Sequence, residues 1–345
     1  MLKLLCAVLL AAFMLQCKEY EPPSNDEPMV RAEIVKPRFP QIGLRVNGEL
    51  RKVVNSPTTP ELEPYFADLN DRMLVACSHP SIRAKIAPEI WKRYSTTLAQ
   101  LIAGCYTFFT MNDMNAHLSF ERVRRLYPGT YNCHTVAFTQ LYMMHNIVEC
   151  STITAVDINW RILWGHYQFM KAFETGKFEL SEIKAEPGKR TGIWTFCYKP
   201  NFKDCNEAFQ GAMNKYPLAR EVDLQISFLH DMEFKNSADV VLLFVSNAID
   251  PGYTSKKQFN QLLEKMFDSL RPFQKGVVIY HAGGSSQYAV YELVRSLTDR
   301  RIKTVCRDEL VWAPYYSTRG QKLKTYLDEI SDRPAGQICS INLPR

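Results

Sequence analysis

Polar residues that could do chemistry cluster where apolar runs end. TAVDIN places Asp157 after one such run, and His230-Asp231 follows another. VVLLFVSNAIDPGY puts Asn247, Asp250 and Tyr253 after a third. GVVIYHAGGSS ends a fourth with His281, Gly283-Gly284 and Ser285-Ser286. Each has a structural reading beside the chemical one. Asp157 stands just before a helix and could favour its dipole, and Asp231, Asn247 and Asp250-Pro251-Gly252 suit turns. The glycine-serine run could offer backbone N–H groups to an anion, or simply connect two elements tightly. His281 acts as a base only with a substrate in reach. No G-x-S-x-G surrounds Ser285 or Ser286, so a serine-hydrolase elbow is not indicated. The seven histidines form no HxxxH or HxH pair and CxxC is absent, so no metal site is expected.

The elements that must position these residues alternate. Strands are expected at HTVAFT (134–139), STITAVDI (151–158), VDLQISF (222–228), ADVVLLFVSN (238–247) and GVVIYHAGG (276–284). Helices are expected at QLYMMHNIV, at WRILWGHYQFMKAF capped by Asn159, and at SQYAVYELVRSL (286–297). Another opens at the capping box Ser255-x-x-Gln258 and carries Phe259, Leu262, Leu263, Met266, Phe267 and Leu270 on one face. Apolar strands alternating with helices define an α/β chain: a Rossmann-like, mostly parallel sheet with helices on both faces, over residues 129–345. A small helical region (59–128) precedes it, with SFERVRRLY as its last helix, and residues from about 175 to 220 read as an insertion.

The chain has 345 residues, 46% of them hydrophobic, enough for a substantial core. Lys+Arg 42 against Asp+Glu 36 gives only +6, with no basic run, so nucleic acid is not an expected partner. Leu4 to Leu15 is an apolar stretch too short to span a bilayer, which takes ~20 residues, and it fits a signal-peptide core. Met14-Leu15-Gln16-Cys17 follows, then Lys18-Glu19-Tyr20. The segment resembles a bacterial lipoprotein signal (1–16), although Gln16 stands where that motif favours a small residue. The resemblance implies acylation of Cys17, entry of palmitate, and a lipid-anchored protein of the cell envelope, periplasmic or surface-exposed. Residues 17–58 are polar and hold six prolines, and they read as a tether in which IVKPRFPQIGLRV could pack as one extended stretch. Among the remaining cysteines, Cys197 and Cys205 could close a local loop, while Cys133 and Cys150 read as buried thiols.

The β-α order over 130–310 is similar to the core of class I S-adenosylmethionine-dependent methyltransferases. The resemblance implies cofactor contacts at Thr139, Asp157, Asp231 and Asn247: an acid after the second strand for the ribose, a polar residue after the third for the adenine, and a ligand-facing loop after the fourth. One position departs from the family. Its first strand leads into a glycine-rich turn, because the backbone must approach the cofactor without a Cβ. Here the turn is Phe138-Thr139-Gln140-Leu141-Tyr142, without glycine. The expectation is a degenerate domain with no cofactor, its groove occluded by Gln140 or Tyr142, serving binding or structure. The alternative is an active methyltransferase using S-adenosylmethionine through an atypical loop.

Overall fold

The computed structural model describes residues 41–58, 60–67, 113–136, 140–175, 203, 207, 221–311, 322–332 and 337–340. All of them lie within one compact unit, Arg38–Arg345. The strands are β1 (Gln41–Val46), β2 (Glu49–Val54), β3 (Tyr131–Thr135), β4 (Cys150–Asp157), β5 (Glu221–Ile226), β6 (Val240–Ser246), β7 (Lys275–His281), β8 (Tyr288–Arg295) and β9 (Arg300–Arg307). They form a single sheet in the order β2-β1-β5-β4-β3-β6-β7-β8-β9. Strands β1 and β3 to β7 are mutually parallel, while β2, β8 and β9 join by antiparallel pairing. Reversal of strand order at β3 makes the sheet doubly wound, and it leaves a crevice outside the carboxyl ends of β3 and β6.

Helices cover both faces, as the unbroken apolar strands require. Helices α2 (His117–Leu126), α3 (Gln140–Val148) and α4 (Trp160–Glu174) bury Phe120, Met144 and Leu163 on one side with Cys133, Ile153 and Phe244. Helix α5 (Lys256–Ser269) and the short α6 (Tyr326–Ile330) cover the other, packing Phe259, Met266 and Leu327 on Val241, Tyr280 and Tyr291. One more short helix, α1 (Glu63–Ala67), precedes the long undescribed stretch 68–112. Ser255 caps α5 through a complete capping box with Gln258. Between β5 and β6 the chain crosses the sheet after only one 3-10 turn (Leu229–Asp231), and polar side chains of the sheet hold it there. Gln225 exchanges hydrogen bonds with the Glu233 backbone, His134 Nε2 accepts from Lys235 N at 2.9 Å, and Asn132 Oδ1 accepts from Ala238 N at 2.6 Å. His134 is therefore neutral, and burial lowers its pKa to about 4.

Four expectations need correction. SQYAVYELVRSL is not a helix: most of it is β8, antiparallel to β7. Both its faces are buried, Tyr288 and Val290 on one and Tyr291 and Leu293 on the other, so its apolar residues form a nearly continuous run. The expected tether ends at Gln41, because β1 and β2 extend the sheet through a hairpin at Asn47-Gly48. Those two residues have φ 50° and 82°, as a tight two-residue hairpin turn demands. The strand expected at 134–139 is β3, which spans 131–135. Cys133 and Cys150 are not thiols. They form a disulfide between β3 and the start of β4, and a second joins Cys306 of β9 to Cys339.

Candidate functional site

The crevice at the β3–β6 reversal holds protein side chains. Asp113 enters it ahead of α2 and is 1% exposed. Ser246 ends β6 with φ 51°, a left-handed turn that aims its hydroxyl at the Asp113 carboxyl, 2.7 Å from both oxygens. Gln140, first residue of α3 and fully buried, donates through Nε2 to Asp113 Oδ2 at 2.7 Å. Asn247 Oδ1 accepts from Ser246 Oγ at 3.2 Å. Burial raises the Asp113 pKa to about 7 against the opposing pull of Ser246 and Gln140. A second buried acid follows β6: Asp250 accepts from Tyr280 Oη at 2.7 Å, and burial lifts its pKa to about 6. Burial and the nearby Asp250 also push the Tyr280 phenol up. Among the described residues, Asp250 Oδ2 and Gln140 Oε1 are buried without a hydrogen-bond partner.

The residues singled out in the sequence fall into separate places. Asp157 ends β4 half-buried, and its Oδ1 accepts from Asn159 N at 2.7 Å, where the chain turns into α4. Burial raises its pKa to about 6, opposed by the N–H groups of Asn159 and Ile158. Asn159 in turn caps the helix by accepting from Arg161 N at 3.3 Å. Asp231 is exposed on the neighbouring turn, 3.5 Å from His230 Nε2. It borders a surface cavity of about 670 Å³ that runs along α5 past Lys257, Gln261, Lys265 and Asp268. Of the expected cofactor contacts, Asn247 alone among the described residues lies in the crevice itself, together with Gln140, one of the two residues expected to occlude it. Tyr253 is 64% exposed on the loop after β6.

His281 lies in the core, fully buried between Phe244 and Tyr288, with ring centroids at 5.5 and 5.3 Å. Ser119 Oγ donates to Ala116 O, so it accepts from His281 Nε2 at 3.1 Å, which fixes the neutral Nε2–H form. Burial, reinforced by nearby His117, lowers its pKa to about 3. Tyr142 is likewise buried, paired with His166 Nδ1 at 3.1 Å. Thr139, Cys17, Cys197 and Cys205 lie outside the described residues. Asp113 and Ser246 carried no motif: they meet only because the fold brings the start of α2 to the end of β6.

Among solved structures, the chain is similar to the N-methyltransferase NodS from Bradyrhizobium japonicum WM9, with TM-score 0.27 and 8% identity over 48% of this chain and 66% of that one. It is also similar to the sugar N-methyltransferase KedS8 from Streptoalloteichus, with TM-score 0.25 and 11% identity over 58% and 74% of the two chains. A SAM-dependent methyltransferase of Leishmania major gives TM-score 0.27 and 12% identity over 76% and 84%. The matched part spans just under two thirds of NodS. No protein-family model and no curated protein matches the chain. With overlaps this small, the class rests on strand order and direction: an α/β protein with a doubly wound, Rossmann-like sheet.

Proposed function

We propose that the chain is an exported, lipid-anchored binding or structural protein of the cell envelope, built on a methyltransferase-like domain that has lost its cofactor. The observation that carries this reading is the crevice at the β3–β6 reversal, the place where sheets of this kind bind ligands, in which Gln140 and Ser246 both bond the buried Asp113. A glycine-rich turn would leave that space open; a buried glutamine at the head of α3 fills it. Two disulfides fit an oxidising compartment and so support export.

Equilibrium dialysis of the purified, oxidised chain with labelled S-adenosylmethionine tests the loss of cofactor. The expected outcome is no saturable binding at millimolar ligand. Saturable binding abolished by Asp157→Ala would establish the enzyme alternative instead, since Asp157 does stand at the carboxyl end of β4. Labelled palmitate tests the anchor: it should enter the wild type and not Cys17→Ala.

A further inference from the structure

The amino edge of the parallel strands carries two exposed apolar tips side by side. Residues 271–274 form the turn before β7, closed by Gln274 N bonding Arg271 O at 3.0 Å. Pro272 takes its second position and Phe273 its third, with φ 66°. That is the type II pattern, whose third position normally takes glycine. A bulky side chain held in left-handed backbone is strained, and Phe273 is nonetheless 72% exposed, so no packing compensates it. Beside it, the β8–β9 hairpin turns through Leu297, 79% exposed. Phe273 N bonds Arg295 O at 2.8 Å, tying the two tips together. Leu126, 45% exposed, ends α2 where the chain descends to the start of β3, on the same edge.

Charge and chain path select the occupant. Exposed Arg124, Arg125, Arg271, Lys275, Arg300 and Arg301 outnumber the exposed acids of this corner, Asp239, Glu264, Asp268 and Asp299. Arg300 and Arg301 are engaged with Glu264, Asp268 and Asp299, and Lys275 with the half-buried Glu292, which leaves the corner a small surplus of positive charge. Apolar tips ringed by arginine suit an anionic lipid surface, where aromatic and aliphatic groups enter the headgroup layer and cations meet phosphate. Moreover, β1 runs parallel to β5, so Gln41 also lies on the amino edge. The segment from Lys18 to Pro40 therefore joins the domain on the edge that carries the tips. It has a maximum reach of about 80 Å. From β1 to β8 there are six strand spacings, roughly 29 Å, well within that reach.

We infer that the domain rests on the membrane by this amino edge, with Phe273 and Leu297 seated in an anionic headgroup layer. The lipid anchor of the proposed function strengthens the orientation argument, but the tips and their charges stand without it. Hydrogen–deuterium exchange of the full chain tests the inference, with and without phosphatidylcholine vesicles, either pure or holding about a quarter phosphatidylglycerol. Exchange at residues 271–275 and 296–299 should slow by roughly tenfold on the anionic vesicles and less on the neutral ones. Phe273→Gly should lose that protection while its thermal midpoint stays equal or rises, because glycine relieves the strained turn; Leu297→Ser should behave alike. No slowing at either tip would overturn the inference. So would slowing at Ile158, Phe228 and Tyr253 on the opposite edge, or slowing that follows protein concentration without lipid, which marks a second copy. Palmitate labelling of Cys17 is read separately. Tip protection without labelling keeps this inference and removes the anchor, and labelling without protection does the reverse.

Discussion

Replacing Asp113 by asparagine keeps the shape of the buried acid and removes its titration. The carboxyl has an ordinary value of 3.8, raised to about 7 in the folded chain by burial. A group that binds its proton more tightly when folded stabilises the fold at low pH. That stability is fully present below the unfolded value and is lost as pH rises through the folded one. A displacement of this size corresponds to about 4 kcal/mol between pH 4 and pH 7.5. Asparagine still accepts from Ser246, and an amide flip of Gln140 would turn its partnerless Oε1 towards the new N–H. Urea unfolding of wild type and Asp113→Asn, both oxidised, is the assay at pH 4 and pH 7.5. At pH 4 the two should agree within about 1 kcal/mol. At pH 7.5 the variant should be the more stable, by up to about 4 kcal/mol. An Asp113→Asn chain that loses stability at pH 7.5 would refute the reasoning: the donors from Ser246 and Gln140 would then outweigh burial, and folding would not raise the carboxyl above its ordinary value.

Three further outcomes are expected. A non-reducing peptide map should recover Cys133 linked to Cys150, and the double alanine variant should lose about 3 kcal/mol; free alkylation of both without reductant would contradict the pairing. Ser255→Ala breaks the capping box of α5 and should lower stability by about 1 kcal/mol in chemical unfolding; no change would mean that packing alone fixes the helix start. Gly276→Ala places a Cβ 2.8 Å from Leu270 Cδ1 and 3.0 Å from the Leu293 Cβ, and should cost about 1–3 kcal/mol; a wild-type midpoint would show that Leu270 yields freely.

Where periodicity was strong the sequence reading and the fold agree, and where both faces of an element are buried they part. Helix α5 announces itself through its capping box and its single apolar stripe. Strand β8 does not, because Tyr288, Tyr291 and Val294 also match helical spacing. The β1–β2 hairpin was legible in principle: Asn47-Gly48 between two short runs is a strong hairpin signal, masked by the prolines before it. Neither the Cys133–Cys150 pairing nor the Asp113–Ser246 contact could be read locally. Each depends on which strands lie side by side, and strand neighbours are a property of the whole sheet. Asp157 and Asn247 stand just past apolar runs, a pattern that marks strand ends and says nothing of whether the space beside them is open.

Strand β1 also bears on the order in which the molecule can be completed. Gln41 pairs opposite Glu221, so the β1–β2 hairpin has no neighbour among the parallel strands until β5 exists. A ribosome adding about 5–20 residues per second needs on the order of ten seconds or more to cover that interval. Throughout it, the β1–β2 hairpin is two strands alone, which are marginal in water. Ile42 and Leu44, fully buried in the finished core, are exposed meanwhile, together with an unpaired backbone edge. The nascent β1–β2 hairpin thus keeps an apolar face and a strand edge open for that whole interval, and pairing with β5 closes both.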